Sequence, residues 1–365
     1  MLFSLAVAEF TLILAGNLHD ETKMSRTDGG DIFNIKFAPL NIPRKRRLQT
    51  LGVIHFWFIF LLSAIICILI CLALLLTGHY FIFLALVTWT YIDRATPISG
   101  GRRSAWVRNW ALFKNMVDYF PYKLIKTVDI DPKHCYIFGF HPHGIMGMGL
   151  FAHFASEGSN FSQIFPGITP YPLTLHGWFY IPIIRDYLML SGLCSVQKES
   201  MDWILSRPGN VAIVAVGGAR ESLDAKPGEN KVILNPRKGF IKRAIINGAH
   251  LVPMYSFGEI EMYDQIDNTK YRWLRKLQEK LTKIVGVAPP LFHGRGLFNY
   301  NFGLMPHRVP INTVVGKPIP VEKRSDPSRE EIVNLHQQYV QALIQLFEDN
   351  KSKYGLKKED KLQIL

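Results

Sequence analysis

Between Val53 and Ile92 the chain carries no Asp, Glu, Lys or Arg. Crossing a bilayer core takes about 20 apolar residues, so this run has the length for two helical segments. Thr77-Gly78-His79 is the natural break, with Gly78 supplying the turn. The second segment, His79–Ile92, is short for a full crossing and suits a re-entrant arm. Arg44-Lys45-Arg46-Arg47 precedes the run, and Arg94, Arg102, Arg103 and Arg108 follow it. Cationic flanks on both sides place both in the cytosol, so the expectation is a membrane hairpin. A soluble core would rarely bury such a length without a charge.

The rest of the composition agrees. Of 365 residues, 48% are hydrophobic and 19% charged, and the net charge is +13. A chain this basic needs an acidic partner: nucleic acid, an anionic membrane face or a polyphosphate-bearing substrate. No zinc-finger spacing, RNP-type aromatic motif or basic homeodomain-like helix is present, which sets nucleic acid aside. The cysteines Cys67, Cys71, Cys135 and Cys194 form no C-x-x-C pair, a pattern for a reducing compartment rather than a disulfide framework. The first 16 residues are apolar but interrupted by Glu9 and lack a basic lead, a poor secretory signal. Because Met24 opens a polar stretch, residues 1–23 read as an optional extension.

After residue 100 short apolar runs recur at Tyr136–Phe140, Val211–Val216, Leu251–Phe257 and Thr313–Val315. Helical stretches are expected between them at Met201–Ser206, Phe240–Asn247 and Tyr271–Val285. Such alternation predicts an α/β domain with a parallel or mixed sheet flanked by helices. Asp326-Pro327 reads as the cap of a last helix running to Gly355, with Ile332, Leu335, Tyr339, Leu343 and Leu346 on one face. The chain therefore divides into an N-terminal cytosolic segment (1–52), a hairpin (53–92) and a cytosolic α/β domain (93–365).

Phe140-His141-Pro142-His143-Gly144 is the polar cluster that follows the first apolar strand. Strand ends are where α/β folds place their sites. A neutral imidazole there can take a proton from an alcohol, an effect of about 10²–10⁴-fold. The bland alternative, two histidines in a structural turn, weighs equally on spacing alone. A metal site lacks a third ligand at convincing spacing. The second cluster, Val216-Gly217-Gly218-Ala219-Arg220-Glu221-Ser222, also ends an apolar strand. Its glycines can turn backbone N–H groups toward an oxyanion, Arg220 can meet a phosphate, and Glu221 can orient His143. A surface turn with a local ion pair explains the same spacing. Arg237, Lys238, Lys242 and Arg243 surround a helix start and suit a phosphate platform, though basic helix faces are commonly just solvated. Arg295, in His293-Gly294-Arg295-Gly296, is a further phosphate contact to test. No G-x-S-x-G elbow is present, so a covalent acyl-enzyme is not indicated.

These segments together resemble the type-2 diacylglycerol acyltransferase family, which includes monoacylglycerol and wax-alcohol acyltransferases. The resemblance runs from about Phe37 to the C-terminus. It rests on Gly100–Ser104, Asp118–Pro121, Tyr136–Gly144, Phe165–Gly167, Gly217–Ser222, Arg237–Pro253 and His293–Gly296. It implies a glycerolipid-acyltransferase-like mixed sheet and an enzyme of the endoplasmic-reticulum membrane with access to lipid droplets. Acyl-CoA enters as co-substrate and a diglyceride as acceptor, with no cofactor. Monoglyceride or a long-chain alcohol is the alternative acceptor, a non-catalytic lipid-droplet coat the alternative role, and homo-oligomerisation is left open. In the related H-x₄-D enzymes an acid follows the histidine by five residues; here Met148 stands there, and Glu221 is the replacement expected. The catalytic expectation is thus His143 with Glu221. Substrate contacts are expected from His141, Gly144, Gly217, Gly218, Arg220, Arg237, Lys238, Lys242, Arg243 and Arg295. The family's F-L-x-L pattern occurs at Phe83–Leu86, a cheap match in an apolar run.

Overall fold

The computed structural model describes residues 36–39, 41–265, 272–285 and 289–365. The optional extension read at residues 1–23 lies outside the described residues. Pro43, in extended conformation, precedes a helix that starts at Arg44 and holds its course to Leu76. It comprises α1 (Arg44–Trp57), a π-type turn over Phe58–Leu62 and α2 (Ser63–Leu76). The basic Arg44–Arg47 is therefore the helix's first turn, and the 52/53 boundary falls inside it. Among the described residues this is the one helix long and apolar enough to cross a membrane.

Its two halves differ in surroundings. In α1, Gln49, Gly52, Val53 and Phe56 are buried, in a core shared with Phe113 and Met116 of α4 (Ala111–Tyr119). In α2 only Ser63 and Cys67 are buried. The chain breaks at Thr77-Gly78-His79, where the sequence places the turn, and returns as α3 (Tyr80–Ile92), which buries nothing. Thirteen residues rise about 20 Å, less than the ~30 Å hydrocarbon core. A helix–turn–helix is therefore present, with a second arm too short to span alone.

The return to the globular part is made by ion pairs. Fully buried Arg185, on α5 (Ile184–Leu190), meets Asp93 at 2.5 Å; Arg102 pairs with Asp93 and with Asp186. Arg103 and Arg108 pair with Glu157. Of the four arginines after the run, only Arg94 is exposed. The other three serve the fold as well as the local charge balance.

The globular part is a mixed seven-stranded sheet among the described residues. Its strands are β1 (Lys123–Lys126), β2 (Tyr136–His141), β3 (Thr169–Thr174), β4 (Cys194–Ser195), β5 (Asn210–Ala215), β6 (His250–Phe257) and β7 (Asn312–Val315). They lie in the order β1-β7-β6-β2-β5-β3-β4. Neighbours are parallel except β6 against β7. The middle strand β2 is buried along its whole length, as a strand covered on both faces must be. Each such Ile or Phe contributes about 1.5–3 kcal/mol relative to exposure. Helices α6 (Lys198–Leu205), α7 (Gly239–Asn247), α8 (Arg272–Val285) and α9 (Arg329–Asn350) confirm the expected alternation. The α9 cap is Ser328, in a capping box with Glu331, not Asp326: Ser328 Oγ accepts from the Glu331 amide at 3.1 Å. Strands β1, β3 and β4 escaped the sequence reading because they are short or, in Thr169-Pro170-Tyr171-Pro172, interrupted by proline.

Candidate active site

Strand β2 delivers His141 and then His143 to the carboxyl end of the sheet, beside the end of β5. The two histidines, two residues apart, meet different surroundings. His141 has no exposed surface, and its Nε2 lies 3.1 Å from the Tyr339 hydroxyl of α9. Burial drives its pKa down to about 3, so the ring is neutral. Sealed in this way, it braces the turn and presents nothing to an acceptor in this conformation.

His143 is only half-buried. Its Nδ1 lies 3.0 Å from the Gly144 carbonyl oxygen, which can only accept. The contact therefore requires the proton on Nδ1 and leaves the Nε2 lone pair as the proton acceptor. Burial lowers the His143 pKa, outweighing the carbonyls of Gly144 and of His143 itself. Gly144 takes a left-handed φ of 63°, which L side chains rarely adopt.

Glu221 comes to the same turn from the end of β5 and is 2% exposed. The expected contact with the His143 ring is not made. One carboxylate oxygen accepts the His143 backbone N–H at 2.5 Å, and the other accepts from the Ile233 N–H at 2.7 Å. With both oxygens on main-chain donors and the ring turned to Gly144, the acid holds the backbone that carries the imidazole. Gly217 permits this, since a Cβ there would stand 1.9 Å from the carboxylate. Burial raises the Glu221 pKa to about 7, against the two N–H bonds and nearby Arg237.

A second acid, absent from the sequence reading, mirrors it. Glu259 follows β6, is 1% exposed, and accepts from the Gly149 amide at 3.0 Å and the Ser256 hydroxyl at 3.3 Å. Its side chain lies against Gly144, and burial raises its pKa to about 7. The rule that singled out Glu221, an acid just past an apolar strand, applies equally to Phe257-Gly258-Glu259. Met148, at the place of the related enzymes' acid, is fully buried.

The phosphate platform is redistributed. Arg237 donates to the Gly217 carbonyl at 2.8 Å and so buttresses the glycine turn. Arg243 is tied to Asp202 at 3.0 Å. Lys238, at the cap of α7, and Lys242, on it, face solvent, as does Arg220 beyond the Gly217-Gly218 turn. Arg295 does not join the histidine turn; its guanidinium lies 5.5 Å from the Tyr119 ring centroid. Spacing could not show these partners, because Asp202 and Tyr119 are distant in sequence. No group of three or more His, Cys, Asp or Glu among the described residues could hold a metal.

Residues 72–365 match the family described as diacylglycerol acyltransferase. The chain belongs to that family. It is 51% identical over 330 residues to 2-acylglycerol O-acyltransferase 1 of Bos taurus, covering 90% of this chain and 98% of the relative. The Homo sapiens counterpart is 48% identical over the same shares. Diacylglycerol O-acyltransferase 2 of Bos taurus is 44% identical over 338 residues, 92% of this chain and 93% of the relative. Membership makes the chain an acyltransferase. Among solved structures, the 1-acyl-sn-glycerophosphate acyltransferase PlsC of Thermotoga maritima covers 75% of this chain and 95% of its own. With 12% identity and a TM-score of 0.34, that likeness is too loose to carry an argument.

Proposed function

We propose that the protein transfers an acyl group from acyl-CoA to an acylglycerol hydroxyl, with His143 as the general base. The observation that carries this is the Nδ1 contact to Gly144, which leaves Nε2 unprotonated on a partly buried ring at a strand end. Nε2 takes the hydroxyl proton as the oxygen bonds to the thioester carbon. The oxyanion so formed is met by backbone N–H groups near Gly144 or Gly217-Gly218. Its collapse breaks the C–S bond, and the leaving thiolate takes the proton from the imidazolium, giving ester and free thiol. Glu221 acts as a positioning residue through the His143 main chain, and Glu259 through the Gly149 amide.

The acceptor supported best is a 2-monoacylglycerol, because identity is higher to the 2-acylglycerol enzymes than to the diacylglycerol enzyme. Diacylglycerol, the acceptor expected first from the sequence, remains the second reading on the 44% match. The exposed apolar α2–α3 arms fit a re-entrant hairpin in the endoplasmic-reticulum membrane, with the catalytic domain cytosolic and the acceptor arriving sideways from the bilayer. Microsomes given labelled acyl-CoA with monoacylglycerol, diacylglycerol or long-chain alcohol in parallel test the assignment. Fastest product formation is expected with monoacylglycerol. Product from none of the three would leave a non-catalytic hairpin protein.

A further inference from the structure

Two arginines, Arg295 and Arg308, converge on Tyr119 from separate turns of the chain. Tyr119 is 1% exposed and donates its hydroxyl to the Pro306 carbonyl at 2.7 Å. The Arg308 guanidinium lies 3.8 Å from the ring centroid and that of Arg295 at 5.5 Å. Arg308 also donates to the Arg46 carbonyl on the first turn of α1, to Thr50 Oγ1 and to Gln49 Oε1 at 2.8 Å. Every one of these acceptors is neutral. Among the described residues no carboxylate pairs with Arg295 or Arg308, and the buried Nε of Arg295 has no hydrogen-bond partner. Asp264, on the strand that pairs with the one leading into Arg295, is taken by His307 at 2.9 Å and His293 at 3.8 Å.

Partly buried cations are ordinarily matched by an acid, since desolvating unpaired charge is costly. Here the fold spends neutral acceptors and an aromatic face on orienting guanidinium groups that it leaves unneutralised. Burial and the neighbouring Arg295 and Arg46 bring the Arg308 pKa down to about 10, while Tyr119 and Tyr300 oppose them. A doubly charged phosphoryl group is the ligand whose charge and acceptor number match such a set. Tyr263, which a Cβ at Gly294 would meet at 3.3 Å, reaches Met148 Sδ with its hydroxyl at 3.8 Å, five residues beyond His143.

We infer that Arg295 and Arg308 around Tyr119 form a binding site for a phosphomonoester. In deepening the acyltransferase reading, the site rests on it for one of its two sources: the 3′-phosphate of the acyl donor, or the headgroup of a phosphatidic-acid-type lipid. The test is equilibrium binding to the full chain in phosphatidylcholine nanodiscs. The probes are coenzyme A and 3′-dephospho-coenzyme A, and in a second arm nanodiscs containing phosphatidic acid. If the donor is the source, coenzyme A binds about tenfold tighter than the dephospho form. Arg295→Gln and Arg308→Gln then abolish that preference without changing dephospho-coenzyme A affinity. If the lipid is the source, the two soluble probes bind alike, and enrichment of phosphatidic acid around the wild type is lost in the variants. Variants matching the wild type in both arms would overturn the site. Should Arg308→Gln fail to fold, Arg295→Gln leaves every bond of Arg308 in place and keeps the test decisive. Phosphate preference without acyl transfer would sink the activity and spare the site; acyl transfer without phosphate preference in either arm would do the reverse.

Discussion

At the histidine turn the protein supplies its own surroundings: Glu221 and Glu259 hold backbone N–H groups, Tyr339 braces His141, and Gly144 fixes the His143 ring. Along α2 and α3 it supplies almost none, leaving Ile68 63% and Phe81 90% exposed. Large apolar side chains exposed along two helices need a covering that a water-facing fold lacks. The comparison shows a chain that fixes its polar geometry internally and leaves the apolar faces of two helices uncovered among the described residues.

The comparison breaks first at the base. His143→Ala is expected to cut turnover at least about 100-fold, the lower range for general-base loss. Near-wild-type kcat in that variant would refute the mechanism. Next in size is the hairpin. Ile68→Arg places a charge midway along α2 and is expected to weaken membrane retention by about 3 kcal/mol. Carbonate extraction of the protein reads it, and unchanged retention would deny the bilayer role.

Glu221→Gln keeps the shape but sets an amide NH₂ against a backbone donor. An unsatisfied buried donor costs about 1–3 kcal/mol, so kcat should fall roughly 5- to 160-fold with little change in KM. A matching loss of folding stability with kcat preserved would make Glu221 purely structural. The pH profile sharpens the same point. Because burial lowers the His143 pKa, the neutral base persists on acidification, and the acid limb of kcat/KM should lie below pH 6.5. Glu221, titrating near 7, should add a weaker inflection that disappears in Glu221→Gln. The smallest effect expected is Tyr339→Phe. It removes one hydrogen bond to His141, for about 1 kcal/mol of stability in denaturant unfolding and less than threefold in activity.

Much was legible in the chain itself. The uncharged run, its break at Gly78, the central strands and the histidine turn at a strand end all follow from local pattern, because periodicity and turn chemistry act between near neighbours. Local pattern also gave Glu221 its place beside His143, and would have given Glu259 its own.

What only tertiary structure decided were the partners. That Glu221 grips the main chain of His143 and not its ring depends on Ile233 competing for the second oxygen. That Arg243 is held by Asp202 and Arg237 by Gly217 depends on how α6, α7 and the end of β5 pack. The uncharged run fixed the need for an apolar covering, but α4 and its neighbours decided that α1 is covered by protein while α2 and α3 are left bare. Hydrogen bonds and ion pairs are directional and short-ranged, so residue types alone leave their partners open until the fold sets the distances.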